Sequence, residues 1–315
     1  MKRQHWVNAV FIVVLFIVND VRAQESKLTD EFKSATIERI SELVNNNYVF
    51  PDVAKATGEH LVKKLKEGRF SADTTAMAFS KSLTEEVQSL NHDKHMRIRA
   101  GKAGPAVPRE FDSLGEGGFK EAKILEGNIG YIDLRLFFAV SAASSFADQH
   151  MKTLASTNAI IIDLRQNGGG YPEMVQYLCS YFFDKKILLN SLYYRLSDET
   201  REFWTVDVKG KKMPDIPLFI LTSKRTFSGA EEFAYNMQTQ KRAVLIGETT
   251  GGGANPGGVF PVNDQLSIFI PTGRAINPIT KTNWEGVGVK PDVEIDADKA
   301  LEQAIKLALE VVKNK

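Results

Sequence analysis

Ser228 stands where a hydroxyl could become a nucleophile. Residues 217–236, PLFILTSKRTFSGAEEFAYN, begin with the apolar run 218–221, which reads as a buried strand. Thr222-Ser223 and a short basic turn follow, and Ser228-Gly229-Ala230-Glu231 opens a helical pattern. A strand, a tight turn and a helix expose a serine at the turn and aim the next backbone N–H at a developing oxyanion. The same letters have a plainer use. Ser-x-x-Glu before an apolar run is a capping box, in which Ser228 accepts from the N3 amide and Glu231 reaches back. Glu231 and Glu232 also suit the positive end of a helix dipole. Alone, the segment favours the cap; two neighbouring motifs favour chemistry.

Residues 159–170, AIIIDLRQNGGG, form a second strand end. Ile160, Ile161 and Ile162 read as a strand buried on both faces. Gly168, Gly169 and Gly170 then make a turn before a helix with Pro172 in its first turn. Glycines there permit positive φ and a close backbone approach to a ligand. Asp163 and Arg165 read as an ion pair holding that turn. Residues 247–258, GETTGGGANPGG, follow the short strand 243–246. Three Gly- and Ser-rich strand ends look like one site at the edge of a sheet. Gly-rich strand–helix turns also cradle phosphates. No Walker Lys-Ser/Thr follows Gly168–Gly170 and no GxGxxG occurs there, so nucleotide binding ranks below catalysis.

At this point the chain resembles the tail-specific (C-terminal-processing) serine peptidases. The likeness is greatest to the branch holding the tricorn core protease and the modules of interphotoreceptor retinoid-binding protein. It rests on DKH at residues 93–95, GYIDL at 130–134, IIDLRQNGGG at 161–170, TSKRTFSGAEEFAY at 222–235, GETTGGGANPGG at 247–258 and WEGVGVKPDVEI at 284–295, in the family's order. The resemblance implies a ClpP/crotonase-like spiral α/β core and a polypeptide substrate. In the tail-specific branch a lysine in the glycine-rich segment is the base. Here that position is Gly253, so a Ser–Lys dyad is not available there. In the tricorn-like branch the base is a histidine, matched by His95, with a supporting glutamate matched by Glu285. The implied oxyanion donors are the amides of Gly229 and Gly169, in a turn shaped by Gly168 and Gly170. Lys94 stands where tricorn has a serine that relays from histidine to glutamate. Two arrangements remain open: Lys94 pairs with Glu285, or Glu285 reaches His95 directly. Read without the resemblance, His95 in HMRIR would be a half-buried core histidine and Glu285 an exposed loop acid. His92 reads as a solvated helix-end residue.

With 40 basic and 39 acidic side chains the net charge is +1, which gives no basic excess for nucleic acid. Residues 1–23 carry a positive start, an apolar run at 7–18 and Val21-Arg22-Ala23 before Gln24, the pattern of a cleavable signal peptide. The run is short for a membrane span of about 20 residues. Export to the periplasm or cell exterior, with cleavage near Ala23-Gln24 and no membrane attachment afterwards, is the expectation. The single cysteine, Cys179, reads as a buried structural thiol. No His/Cys cluster has metal spacing, and no metal or cofactor is expected.

Beyond the signal, residues 24–92 show apolar spacings of three amphipathic helices, expected as a small N-terminal bundle. Residues 93–120 hold the His95 segment and a Gly/Pro-rich linker. That interval is too short for the PDZ domain that many tail-specific peptidases carry there. Residues 121–315 alternate strands and helices, as an α/β core does, and end in an amphipathic helix. The expected function is an exported serine peptidase with Ser228, His95 and Glu285 as its catalytic set. The alternative is a non-catalytic binder of apolar ligands, since retinoid-binding-protein modules share the architecture. An esterase using the same acyl-transfer chemistry is a third reading. The sequence leaves oligomeric state and substrate preference open.

Overall fold

The computed structural model describes residues 27–102 and 115–313. The expected signal segment and most of the Gly/Pro-rich linker lie outside the described residues. Three helices come first: α1 (Asp30–Asn47), α2 (Pro51–Lys66) and α3 (Ala76–Asn91). Thr29 and Thr75 cap α1 and α3 through their hydroxyls, and Pro51 opens α2. His92 ends α3 in the left-handed region at φ 56°, exposed to solvent.

The chain continues through β1 (Arg97–Ala100), β2 (Phe119–Leu125), β3 (Ile129–Leu134), α4 (Val140–Leu154), β4 (Ala159–Asp163) and α5 (Pro172–Cys179). Next come β5 (Leu188–Tyr194), β6 (Glu199–Trp204), β7 (Leu218–Thr222), α6 (Gly229–Thr239) and β8 (Val244–Gly247). The last elements are β9 (Gly257–Pro261), β10 (Leu266–Pro271), β11 (Gly273–Ile276), β12 (Val293–Glu294) and α7 (Ala300–Lys313).

A six-stranded sheet runs β12-β8-β7-β4-β3-β2, parallel except for the β2–β3 hairpin. Alternating residues of its central strands feed two cores, which is why their apolar runs are unbroken. Ile160, Ile162 and Ile220 pack against the face covered by α4, α5 and α6. Ile161, Phe219 and Leu221 pack against Ala300, Ala304 and Ala308 of α7 on the other face. The antiparallel sheet β11-β5-β6 borders the first of these cores.

The helical unit does not close its own core. Ile37, Ile40, Leu61, Phe79 and Leu83 bury against Ile98 of β1 and Leu266, Ile268 and Ile270 of β10. The sheet β1-β10-β9 therefore ties the N-terminal helices to a late part of the chain. Among the described residues no helix is long and apolar enough to cross a membrane. In open α/β sheets, ligands bind beyond the carboxyl ends of parallel strands. Three adjacent parallel strands, β4, β7 and β8, end at the Gly168–Gly170 turn, the Ser228 turn and the 248–256 loop respectively.

Candidate active site

Ser228 lies at the first position before α6 with φ 54° and ψ −123°. An ordinary N-cap residue has an extended backbone. A serine held at positive φ costs about 1–3 kcal/mol, and such strain persists only where the surroundings impose it. Here they do. Thr226 donates through Oγ1 to the Leu164 carbonyl at 2.8 Å, and Ser223 through Oγ to the Arg165 carbonyl at 2.6 Å. The Phe227 amide donates to the Asn167 carbonyl at 3.1 Å. The β7 turn is thus stapled to the β4 turn along the stretch that leads into the serine. Arg165 is itself fixed by Asp163, at 2.6 Å, as the expected ion pair.

The Gly168–Gly170 turn approaches Ser228 so closely that a side chain would not fit. Gly169 has φ 107°, and a methyl there would stand 2.7 Å from Ser228 Cβ. The Gly169 amide is not free. It donates to Asn167 Oδ1 at 2.8 Å, so the expected oxyanion donor at this position is already engaged. The next amide, that of exposed Gly170, has no hydrogen-bond partner among the described residues, and neither has that of Gly229. A methyl placed on Gly229 would stand 3.1 Å from the Gly170 nitrogen, so the two free amides are neighbours. Gly168, exposed and open on all sides, only completes the turn.

Glu231 does more than cap its helix. It is fully buried and accepts from the Ser228 amide at 2.8 Å. It also accepts from Thr250 Oγ1 at 2.5 Å and from the amides of Gly252 at 2.6 Å and Gly253 at 2.9 Å. Burial still holds its carboxyl above the usual range. One carboxyl group therefore positions both the Ser228 backbone and the 248–256 loop. The Gly253 carbonyl accepts from Trp284 Nε1 at 2.8 Å, fixing the loop from the other side.

His95 fills the space beside Gly253. A methyl at residue 253 would stand 2.7 Å from His95 Cε1 and 2.3 Å from Phe227 Cζ. Ring carbons in contact sit about 3.5–4.0 Å apart, so the histidine ring and any side chain at 253 exclude each other. The imidazole lies between Phe227 and Phe269, with centroid separations of 4.6 and 5.7 Å. Burial, with Arg97 second, pushes its pKa down to about 4, so it is neutral at pH 7. A neutral imidazole is the form that accepts a proton. No hydrogen bond joins His95 to Ser228 in this structure; such bonds commonly tighten only when substrate binds.

Glu285 is held by the amides of Ala254 at 2.5 Å and Asn255 at 3.1 Å, both to Oε2. Its Oε1 and His95 Nδ1 are each buried without a hydrogen-bond partner. Donor atoms of His95, Glu285 and Asp93 lie within 4.8 Å of one another. Burial, then repulsion from Asp93, pushes the Glu285 carboxyl up to about 8, and burial raises Asp93 as well. Lys94 points elsewhere. Its Nζ donates to the Gly251 carbonyl at 2.6 Å, so the Lys94–Glu285 pairing is not formed.

Asp93 is the residue that the sequence reading passed over. It is 1 % exposed. It accepts from Tyr48 Oη at 3.1 Å, Asn255 Nδ2 at 3.0 Å and the His95 amide at 3.0 Å. The one signal for it was the Asp-x-His spacing. Asp93, His95 and Glu285 are also the one group among the described residues whose spacing suits a metal ion. Sequence spacing could not reveal that set, because Glu285 is remote in the chain.

A family model described as peptidase family S41 matches residues 128–295. A second, described as the N-terminal domain of peptidase S41 in eukaryotic interphotoreceptor retinoid-binding protein, matches residues 27–116. Carboxyl-terminal-processing peptidase 2, chloroplastic, of Arabidopsis thaliana is 32% identical over 167 residues, covering 52% of this chain and 31% of that protein. The chain thus spans about a third of the length of this curated relative. The solved photosystem II D1 C-terminal processing protease superposes with a TM-score of 0.53 at 15% identity, covering 90% of this chain and 98% of that one. The solved tricorn protease gives a TM-score of 0.57 at 15% identity, covering 90% of this chain and 37% of that one. These two structures share the fold.

Proposed function

The chain belongs to peptidase family S41, and we propose that it hydrolyses peptide bonds of polypeptides with Ser228 as nucleophile and His95 as base. The observation carrying this reading is the strained Ser228 backbone beside two free amides, Gly229 and Gly170. A carrier of apolar ligands has no use for either.

His95 takes the Ser228 hydroxyl proton as Oγ bonds to the scissile carbonyl carbon. The carbonyl oxygen becomes an oxyanion between the Gly229 and Gly170 amides. Gly170 replaces Gly169 in this role, because the Gly169 N–H is held by Asn167. The C–N bond then breaks as His95 returns the proton to the leaving amine. A water, deprotonated by the same histidine, releases the acyl group and restores Ser228. Glu285, whose carboxyl lies within 4.8 Å of His95 and Asp93, supports the imidazolium when it is ionised. Lys94 clamps the glycine loop and takes no part in a relay.

The signal-like residues 1–23 support a site of action outside the cytoplasm. Ser228→Ala tests the central assignment. Cleavage of casein should be lost, while thermal unfolding shifts by no more than loss of a cap, about 0.5–2 kcal/mol, explains. Retained cleavage by the purified variant would remove Ser228 from the chemistry.

A further inference from the structure

His95 lies against one face of a small sheet, and that face carries two arginines without an anion. In the sheet β1-β10-β9, Ile98 pairs with Ile268, and both bury against the N-terminal helices. Paired residues share a face and successive residues alternate. Arg97, its partner Phe269 and the next partner Val259 therefore lie on the opposite face, and Arg99 follows Arg97 there. Phe269 is the ring stacked 5.7 Å from His95, which places the imidazole on this same face. Arg97 and Arg99 are exposed, and Val259 is 41 % exposed.

Neither guanidinium has an acid. Arg97 Nε donates to the Lys94 carbonyl at 2.7 Å, which orients the head and leaves its two terminal nitrogens without a partner among the described residues. The Arg99 side chain has no hydrogen bond and no ion pair among them. Burial of part of Arg97, then the Arg99 charge, lower the Arg97 pKa, and no carboxylate offsets them. The positive charge of Arg97 also reaches the His95 ring. By contrast, exposed Arg39, Arg69 and Arg201 each pair with a glutamate. Two like charges side by side, one of them oriented in advance, are the makings of an anion site.

We propose that Arg97 and Arg99 form a carboxylate-binding subsite for the part of a polypeptide substrate that follows the cut bond. The inference rests on the peptidase reading. The group that protonates the leaving amine must come within hydrogen-bond reach of it, so the residues after the bond leave the site past His95. Arg97 is two residues along the chain from His95, which puts their Cα atoms within about 7 Å of each other, and Arg99 stands about 7 Å further along β1. An extended substrate covers those distances in about two and four residues. The fork of a guanidinium fits a carboxylate through two parallel hydrogen bonds. That carboxylate is an aspartate or glutamate side chain, or the free end of a chain that stops there.

The test starts from a bond that wild type cuts in casein. Quenched fluorescent peptides built around it carry glutamate, glutamine or lysine at the second, third or fourth residue after the bond, one position at a time. At one of these positions wild type should prefer glutamate to glutamine by about fivefold in kcat/KM and should disfavour lysine. Salt at about 1 M should erase the preference, because exposed charges are screened. Each variant is scored by its own glutamate-to-glutamine ratio, so that a change in the chemistry at His95 cancels. Arg97→Gln and Arg99→Gln should bring the ratio toward one, and Arg97→Glu should favour lysine. A further pair of peptides stops at the same position as a free acid or an amide. Preference for the free acid identifies a chain end as the ligand; preference for internal glutamate alone identifies an acidic side chain. Equal rates throughout, or ratios that no variant changes, overturn the subsite and leave the peptidase reading intact. If casein stays whole, the peptidase reading fails on its own. Fluorescence anisotropy with a labelled glutamate-containing alanine peptide and its glutamine counterpart then decides the arginine pair. Tighter binding of the glutamate peptide that Arg97→Glu abolishes supports the carboxylate site, and equal or absent binding overturns it.

Discussion

Replacing Gly253 by alanine tests the placement of the base most directly. The added methyl would stand 2.3 and 2.5 Å from Phe227 ring carbons and 2.7 Å from His95 Cε1. Restoring ordinary contact at about 3.5 Å requires the phenyl ring to retreat by about 1.2 Å and the imidazole by about 0.8 Å. The imidazole is hemmed in, since it also lies against Phe269. Overpacking of this kind costs about 1–3 kcal/mol of stability. A base displaced by about 1 Å lowers the rate about a hundredfold. Gly253→Ala should therefore unfold at a modestly lower temperature and lose about two orders of magnitude in kcat/KM on an unstructured substrate. Gly258→Ala is the control. Its new methyl would meet only Phe260 Cε2, at 3.9 Å, and should change neither quantity. If Gly253→Ala is folded and fully active, His95 does not act from the place the structure gives it.

The remaining predictions concern the groups around that ring. Because burial holds His95 near 4, the acid limb of the wild-type pH–rate profile should fall well below the ordinary histidine value of about 6.5. The sign for stability follows: an unfolded histidine takes a proton near 6.5 and the native one only near 4, so this group lowers stability as pH falls between them. A wild-type limb at 6.5 that survives His95→Ala would refute the assignment. Glu285, pushed up to about 8, is protonated at pH 6 and resembles the amide of Glu285→Gln, so that variant should lose little there and progressively more above pH 8. A loss that is the same at pH 6 and pH 9 contradicts this. Lys94→Ala should keep the wild-type pH profile, since Nζ touches only a loop carbonyl; a profile lacking its acid limb would make Lys94 the base. Tyr48→Phe, which removes one bond to buried Asp93, should cost about 0.5–1.5 kcal/mol in denaturant unfolding, against no measurable change if that contact is idle.

What the sequence disclosed depended on whether the cause was local. The unbroken apolar runs of β4 and β7 have no polar alternation, and that marks strands covered on both faces. Pro172 and the three glycines before it mark a turn and a helix start. Ser228 was legible as a turn serine, but its positive φ was not, because the strain is imposed by Thr226, Asn167 and Gly169 across two strand ends. The commitment of the Gly169 amide to Asn167 is an interaction two residues apart, the reach of an Asx turn, and the Asn-Gly-Gly letters held that hint. Apart from the Asp-x-His spacing, the neighbours of Asp93 do not disclose its burial. Beside exposed His92 it reads as a solvated helix-end acid, and its burial comes from Tyr48 and Asn255, both distant in the chain. Glu232 reads in the sequence as a helix-dipole acid, which leaves its burial unforeseen; α6 is packed so closely that even its fourth residue is buried.

The candidate site draws His95 from the N-terminal side of the chain and Ser228 from the other, and Asp93 is the joint. Tyr48, which ends α1, and Asn255, from the loop after β8, meet on Asp93 Oδ2. The helices bury their apolar faces on β10 as well. Seating the helical unit and seating His95 are therefore one event. The same geometry explains why two solutions to base catalysis exclude each other here. Any side chain at residue 253 needs the volume that the His95 and Phe227 rings fill. A lysine at 253 could not reach Ser228 without first displacing those rings, and the histidine could not stay.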